Sequence, residues 1–202
     1  MIDLWELENE ICAEGFQLLC GVDEAGRGPL AGPVYAAAVI LPRGLGIEGL
    51  NDSKKLTESR REALFDVIRA EALTYGIARA EVEEIESVNI LNATFLAMNR
   101  AIAQLDPQPE LALIDGNRNT GIRFPSRTVI KGDGRCADIA AASILAKVSR
   151  DRYMLEMAER YPEYHFERHK GYGTELHYAA LREFGPSPIH RMSFLKKLYG
   201  NG

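Results

Sequence analysis

The chain has 202 residues, of which 46% are hydrophobic and 26% are charged, with a formal net charge of -5 at pH 7. This length and composition suit one domain, or one domain with a small C-terminal subdomain, and supply enough apolar side chains for a packed core. No apolar run approaches membrane-spanning length, and the acidic N-terminal segment lacks the Lys or Arg of a signal peptide, so we expect neither kind of segment.

Hydrophobic periodicity predicts an α/β fold. Four apolar or alternating runs predict strands, at about 17–23, 33–41 and 74–82 and at 111–114. One amphipathic helix is predicted to begin at Ser59 and another at Ser87, and a long helical pattern follows Asp133. The first two helices have core stripes, composed of Ala63, Leu64, Val67, Ile68 and Ala72 and of Val88, Leu91, Phe95, Met98, Ile102 and Leu105.

Two adjacent acids and a glycine-rich turn end the first predicted strand, in the segment GVDEAGRGP. Asp23 and Glu24 offer oxygen ligands to a hard divalent cation. Gly26 and Gly28 let backbone N–H groups approach a phosphate that Arg27 can bind. A simple strand end with a Gly/Pro turn is the alternative, and the combination within nine residues favours a binding site.

Two further acids follow in similar contexts. Asp115 ends the apolar run 111–114, and Asp133 lies between two glycines and two cations just before the long helical pattern. Alternatively, Asp115 is a turn former before Gly116, and Asp133 is a turn or helix-capping acid. Together with Asp23 and Glu24, these two acids predict one metal-binding cleft.

Adjacent residues on a regular strand point to opposite faces of the sheet. Asp23 and Glu24 therefore enter one site only if the strand ends or bends between them, and Gly26 is a residue at which such a break can form. Three ways for Glu24 to act at the metal site are left open: through its carboxylate, through its backbone carbonyl or through a bound water.

An oxygen-ligand site of three or four acids suits Mg²⁺ and two-metal phosphodiester hydrolysis, in which one ion activates water and the other stabilises the leaving oxygen. Zinc is not expected, because the three cysteines and four histidines show no paired ligand spacing. His165 and His169 are interpreted as surface or substrate-side residues. The odd number of scattered cysteines favours reduced thiols and a cytoplasmic protein.

Several cations are candidate phosphate contacts. Ser143, Lys147 and Arg150 share one face of the helix that follows Asp133, and this face is predicted to line a phosphate track. Lys54 and Lys55 precede another helix, and Lys54 is included among the predicted substrate contacts. The alternatives are ordinary surface cations for Lys147 and Arg150, and a charged loop for the two lysines.

The segment HFERHKGYGT, from 165 to 174, interleaves aromatic and basic residues in a glycine-rich loop. Tyr172, between two glycines, can present its ring to a sugar or base and its hydroxyl to a 2′-OH, the group that distinguishes RNA from DNA. The alternative for Tyr172 is a lid on the core.

Charge is distributed unevenly along the chain. The range 168–197 contains six Lys or Arg residues and two acids, hence a charge of +4 with His neutral, which leaves -9 for the remainder. We therefore expect the C-terminal region to face a polyanionic substrate. The N-terminal segment is expected to lie away from it; its acids are Asp3, Glu6, Glu8, Glu10 and Glu14.

The blocks GVDEAGRGPLAG, NDSKKL, LALIDGN, KGDGRCADIAAASILAKVSRDR and HKGYGTELH occur in this order between about 21 and 190. Together they resemble ribonuclease HII, the bacterial type 2 ribonuclease H. The resemblance implies that Asp23, Glu24, Asp115 and Asp133 bind metal, Mg²⁺ or Mn²⁺. It also implies that the substrate readers are Gly26, Arg27, Gly28 and Tyr172.

The resemblance implies a ribonuclease H fold, a mixed five-stranded sheet flanked by helices with a helical C-terminal portion. We expect a catalytic domain over 1–160 and a substrate-binding portion over 161–202. The implied activity is cleavage 5′ to a ribonucleotide in RNA–DNA hybrids or ribonucleotide-containing duplex DNA, leaving 3′-OH and 5′-phosphate, in DNA repair and replication. A monomer is expected. The alternatives are ribonuclease HIII and a non-catalytic hybrid-binding module.

Overall fold

The structure, a computed structural model, describes residues 3–51, 53 and 56–199. Its centre is the mixed five-stranded sheet that the family resemblance implied, and the strands lie in the order β3-β2-β1-β4-β5. The strands are β1 (Leu19–Ala25), β2 (Val34–Ile40), β3 (Thr74–Ala80), β4 (Leu111–Asp115) and β5 (Ser126–Val129). β1, β2 and β3 form an antiparallel meander, while β4 runs parallel to β1 and β5 runs parallel to β4.

Helices cover both faces of this sheet. They are α1 (Glu6–Ala13), α2 (Glu58–Glu71), α3 (Val82–Ile102), α4 (Ala137–Arg160), α5 (Phe166–His169), α6 (Glu175–Phe184) and α7 (Lys196–Tyr199). Short 3-10 turns lie at Gly132–Gly134, Pro162–Tyr164 and Met192–Phe194. α3 packs against one face of β1 and β2, and α2 and α4 pack against the other, so each face has its own apolar core. α1, which the sequence analysis did not predict, packs near the start of β1.

The predicted helix starts differ from the structure. α2 is capped by Thr57, whose hydroxyl accepts a hydrogen bond from the backbone N–H of Arg60, so Ser59 lies inside the helix. Val67 was placed on its core stripe but is 42% exposed, and Ala63 is exposed as well, because Phe65 takes the inward position.

α3 begins five residues before Ser87, at Val82, where Glu81 and Glu84 form a reciprocal capping box. Asn89 interrupts the helix with φ 67° and ψ 164°, and its side chain caps the backbone N–H of Leu91.

α4 packs flush against β1, and this close approach positions the site. A Cβ at Gly21 would overlap the backbone of Asp138, so only glycine lets the helix approach the strand this closely. Ala140, Ala141 and Ala142 are fully buried at the same contact. The packing brings the side chains of α4 alongside the C-terminal end of β1.

The C-terminal portion packs against α4 and the loop that follows β1. Its apolar cluster joins Leu30 and Met154 to residues from the last four helical segments, including Phe166, Leu181 and Leu195. The predicted helical C-terminal portion is therefore confirmed. Within the described residues, no helix combines the length and the apolar content needed to cross a membrane.

Candidate active site

Three aspartates meet at one edge of the sheet. Because β1 and β4 are parallel neighbours, with Val22 opposite Ile114, the next residues, Asp23 and Asp115, leave the same edge side by side. Asp133 reaches them from the 3-10 turn before α4. One carboxylate oxygen from each aspartate lies within 4.8 Å of the others.

Backbone donors fix two of these carboxylates. The N–H of Glu24 donates to Oδ1 of Asp23 at 2.7 Å, and the N–H of Gly132 donates to Oδ1 of Asp115 at 2.7 Å. A Cβ at Gly132 would lie 2.5 Å from Cδ1 of Ile139 and 3.3 Å from Oδ1 of Asp115. Glycine therefore favours the close approach of the turn to Asp115, because a larger residue would have to displace the Ile139 side chain.

Glu24 lies on the other face of β1, as a regular strand requires. The strand continues to Ala25 without a break between the two acids, so Glu24 follows Val22 onto the α3 side. Its Oε1 accepts a hydrogen bond from Nη1 of Arg27 at 3.2 Å. The side chain lines the cavities on both sides of Asp115 and so borders the three-aspartate cluster from the opposite face.

The electrostatics of Asp23 favour cation binding. Burial, followed by the charges of Glu24 and Asp115, raises the pKa of the Asp23 carboxyl well above its ordinary value, and a hydrogen bond from Ser143 opposes the shift. Such a cluster has more negative charge than its surroundings neutralise. A divalent cation with oxygen ligands would relieve that repulsion, so the donor set fits Mg²⁺ or Mn²⁺.

A cleft of about 210 Å³ opens beside the aspartates. It brings together most of the predicted substrate residues; its lining consists of Asp23, Glu24, Ala25, Gly26, Arg27, Gly28, Ser53, Asp115, Ser143, Lys147 and Tyr172. Lys54 and Lys55 lie outside the described residues.

Ser53 was not predicted as a site residue. It is buried, and its hydroxyl lies 2.7 Å from the hydroxyl of Ser143. The block NDSKKL, in which Ser53 lies, was the sequence signal that pointed to this residue.

Lys147 donates to Oδ1 of Asp151 at 2.8 Å, and this ion pair holds the Lys147 ammonium at the rim of the cleft.

Arg150 is not a surface cation. It is 1% exposed, and its guanidinium donates to the carbonyl oxygens of Pro33 at 3.3 Å, Lys170 at 3.0 Å and Ala31 at 3.0 Å. The predicted phosphate contact through Arg150 is therefore wrong for this geometry, because the side chain is enclosed by backbone. The helical face shared with Ser143 and Lys147 becomes buried at this turn of α4.

Tyr172 borders the cleft from the C-terminal portion. Its side chain is 44% exposed, and its ring lies 6.0 Å from Nζ of Lys147. A Cβ at Gly28 would lie 3.8 Å from its Cε1, which brings the tyrosine within contact distance of the glycine-rich loop. The ring is thus available to a ligand in the cleft.

Most basic residues of the C-terminal region are exposed, whereas Arg191 is fully buried. The exposed Arg182 pairs with Glu175 at 3.0 Å. Glu8, in the acidic N-terminal segment, is 3% exposed and accepts a hydrogen bond from the backbone N–H of Asp138. Glu8 shares a cavity with Leu19, at the end of β1 opposite to the three aspartates.

Three histidines form a buried chain beneath the Tyr172 loop. His165 is exposed as predicted, but His169 is buried and stacks on His177 with 4.4 Å between ring centroids. Nδ1 of His190 accepts from the Ser187 N–H at 2.9 Å, so its Nε2 carries the proton and donates to Nε2 of His177 at 2.9 Å. Nδ1 of His177 then donates to the carbonyl oxygen of Tyr172 at 2.9 Å.

These hydrogen bonds are complete only with neutral rings, so acid should destabilise the protein. Burial lowers the pKa of His177 to about 4 and, together with His177, that of His190 to about 3. Unfolded histidines titrate near 6.5. The unfolded chain therefore binds more protons, and this contribution to stability is complete above about pH 6.5 and is lost as the pH falls towards 3.

We expect the free energy of unfolding in urea to fall between pH 7 and pH 5, and to fall less in the variant His177→Gln/His190→Gln. An equal fall in both proteins would assign the acid sensitivity to other groups.

Comparisons with known proteins agree with this geometry. The family model described as Ribonuclease HII matches residues 20–197. A protein named Ribonuclease HII from Caldicellulosiruptor bescii is 52% identical over 194 residues, which cover 96% of this chain and 94% of the relative. Another of that name, from Dechloromonas aromatica, is 58% identical over 177 residues, which cover 88% and 90% of the two chains.

Solved structures are similar as well. The crystal structure of ribonuclease H2 from Pyrococcus horikoshii OT3 superposes with a TM-score of 0.73 and 26% identity, covering 90% of this chain and 96% of the other. Bst-RNase HIII in complex with Mn²⁺ gives a TM-score of 0.66 at 19% identity, covering 85% and 64%. The latter likeness concerns the fold alone, and both support the ribonuclease H-like architecture.

Proposed function

The chain belongs to the ribonuclease HII family and is thus a ribonuclease H-type endonuclease, and we propose that it hydrolyses the phosphodiester on the 5′ side of a ribonucleotide in RNA–DNA hybrids and in duplex DNA with embedded ribonucleotides. The products are a 3′-OH and a 5′-phosphate. Removal of misincorporated ribonucleotides during DNA repair and replication is the corresponding role.

The observation that carries this proposal is the convergence of Asp23, Asp115 and Asp133 beside a cleft that also contains the glycine-rich loop. We assign the metal ions, Mg²⁺ or Mn²⁺, to these three aspartates, with Glu24 as a fourth acid from the opposite face of β1. When bound, two such ions supply activation of the attacking water and stabilisation of the leaving oxygen. The aspartates would hold the ions that bind the reacting phosphate, and backbone N–H groups fix the carboxylates of Asp23 and Asp115.

The remaining cleft residues would position the nucleic acid. The backbone N–H groups around Arg27 and the hydroxyl of Tyr172 are assigned to the ribonucleotide, whose 2′-OH needs a hydrogen-bonding partner. Ser143 and Lys147 are assigned to phosphates next to the reacting one. Residues 161–202 serve as the substrate-binding portion through Tyr172, with residues 1–160 as the catalytic domain.

The proposal is tested by cleavage of a duplex that contains one ribonucleotide, with an all-DNA duplex as the matched control. We expect Mg²⁺-dependent or Mn²⁺-dependent cleavage of the first alone, with mapped ends that place the cut 5′ to the ribonucleotide. Cleavage on the 3′ side would refute the proposed polarity. Tight hybrid binding without any cleavage would instead favour a non-catalytic hybrid-binding module.

Substitutions at Tyr172 should separate the contribution of its hydroxyl from that of its ring. Tyr172→Phe removes one hydrogen bond, with an expected cost of about 1–3 kcal/mol where the partner stays unpaired. Tyr172→Ala also removes stacking worth roughly 1–3 kcal/mol per base, so its activity should be clearly lower.

Both Tyr172 variants are compared with the wild type by kcat/KM on single-ribonucleotide and continuous-hybrid substrates. Rejection of the all-DNA duplex should persist in part, because the backbone near Arg27 is unchanged. Wild-type rates for Tyr172→Ala on both substrates would return this tyrosine to a role as a lid on the core.

A further inference from the structure

Two buried arginines hold the loop 26–33 from its inner side. Arg191 is fully buried, although it lies more than 150 residues along the chain from this loop. It donates to four backbone carbonyl oxygens, those of Gly26 at 2.6 Å, Arg27 at 3.0 Å, Pro29 at 2.9 Å and Gly32 at 2.9 Å. Arg150 holds the far end of the loop through the carbonyls of Ala31 and Pro33.

Because each peptide group is planar, these carbonyl contacts also fix the direction in which the N–H groups of the same peptides point. In a trans peptide the C=O and N–H bonds point in opposite directions. With the carbonyls of Gly26 and Arg27 directed at Arg191, the N–H groups of Arg27 and Gly28 must point away from it. Gly26, Arg27 and Gly28 also line the cleft that contains Asp23.

The neighbouring peptide illustrates the same geometry. Arg191 also binds the carbonyl of Pro29, and the opposed N–H, that of Leu30, donates to the carbonyl of Gly171 at 2.8 Å. By contrast, within the described part of the chain the N–H groups of Arg27 and Gly28 donate to no protein acceptor. They are donors available to a ligand in the cleft.

The charge of Arg191 strengthens these donors. No acid among the described residues forms an ion pair with Arg191 or Arg150, so backbone carbonyl dipoles solvate both guanidinium groups. Burial and the charge of Arg150 lower the pKa of Arg191 to about 9, at which it still carries its proton at neutral pH. A cation at the carbonyl end of a peptide polarises it and makes its N–H a stronger donor.

We infer that Arg191 is a positioning residue for ribonucleotide selection, which holds the Gly26 and Arg27 peptides so that the N–H groups of Arg27 and Gly28 face the 2′-hydroxyl of the substrate. The inference rests on the proposed function, because it concerns how the same cleft recognises a ribonucleotide. Arg191 does not touch the nucleic acid and acts only through the backbone.

The test uses Arg191→Lys, which keeps the positive charge but replaces a rigid fork of donors with one ammonium. Single-turnover rates are measured on a duplex with one ribonucleotide and on the same duplex with a 2′-fluoro nucleotide at that position. We expect the ribonucleotide rate to fall by about 10- to 100-fold, the range for buried groups left without partners. The ratio of the ribonucleotide rate to the 2′-fluoro rate should shrink by about 10-fold. The substitution weakens a contact to the 2′-hydroxyl, which the 2′-fluoro substrate does not have.

Ile68→Ala is the matched control, since Ile68 is a fully buried side chain in the apolar core between α2 and α4 and lines neither the cleft nor the loop 26–33. It should lower the melting temperature as much as Arg191→Lys while leaving the ratio of the two rates near that of the wild type. An equal loss on both substrates in Arg191→Lys would make its role purely structural and overturn the inference.

A second measurement needs no substitution. In EDTA, which prevents cleavage, the backbone amide resonances of Arg27 and Gly28 in the wild-type protein should shift more on binding the single-ribonucleotide duplex than on binding the all-DNA duplex. Equal shifts would overturn the inference. If the wild-type protein cuts neither duplex with its metal present, the proposed function fails instead, so the two failures are distinguishable.

Discussion

Asp23→Asn and Asp115→Asn should each reduce cleavage by about 100-fold or more while leaving the fold intact. Each change removes a carboxylate ligand from the three-aspartate cluster, and a bound metal contributes several kcal/mol of transition-state stabilisation, with about 1.4 kcal/mol for each factor of ten. The measurement is the single-turnover rate on a duplex with one ribonucleotide, at ordinary and at high Mg²⁺.

Metal-free stability gives a second readout of the same change. Because burial, followed by the charges of Glu24 and Asp115, raises the pKa of Asp23 well above the ordinary value, a neutral Asn should leave the metal-free melting temperature equal or higher. Added Mg²⁺ should stabilise the wild type more than the variant. Asp66→Asn, at an exposed position on α2, is the matched control and should change neither property.

Asp133→Asn should reduce the cleavage rate less than the other two substitutions if Asp133 contacts only one ion or a water. Activity within a few-fold of the wild type for Asp23→Asn or Asp115→Asn would remove that residue from the metal site. Equal losses for all three would assign Asp133 a share in both ions.

Gly26→Ala should cause a large loss of both stability and activity. Gly26 has φ 98°, a conformation that costs other residues about 1–3 kcal/mol, and a Cβ there would overlap Nε of the buried Arg150. The loop would have to shift, and with it the backbone that faces the ribonucleotide. We expect cleavage of the single-ribonucleotide duplex to fall by about 100-fold, since displacements of about 1 Å can have effects of this size.

Gly15→Ala is the matched control for backbone strain. Gly15 has φ 114° and lies beyond the end of α1, where an added Cβ would meet no atom of a non-adjacent residue within 4 Å. It should lose about 1 kcal/mol of stability and keep its activity. If Gly26→Ala keeps wild-type activity at a comparable loss of stability, the loop does not depend on this glycine for its function.

The sequence identified the acids and the glycine-rich loop because both are local features. An apolar run followed by an acid predicts a strand that delivers a carboxylate to the sheet edge, and β1 and β4 do so with Asp23 and Asp115. The alternation of side chains along a strand also showed that Asp23 and Glu24 could enter one site from the same face only if the strand broke between them, and the structure shows no such break. The presence of a fifth strand followed only from the family resemblance, since β5, at Ser126–Val129, has no distinct periodic pattern.

The tertiary structure decided which charged side chains are buried. Arg150, Arg191 and Glu8 have sequence contexts like those of surface residues, and each is enclosed by segments more than 100 residues away in the chain, apart from Lys170 beside Arg150. Burial of a charge depends on the carbonyls and donors that those distant segments supply, and helical periodicity describes only the residue's own helix. The sequence by itself therefore determined the chemistry of the cleft, whereas only the assembled fold determined that buried arginines orient the loop that borders it.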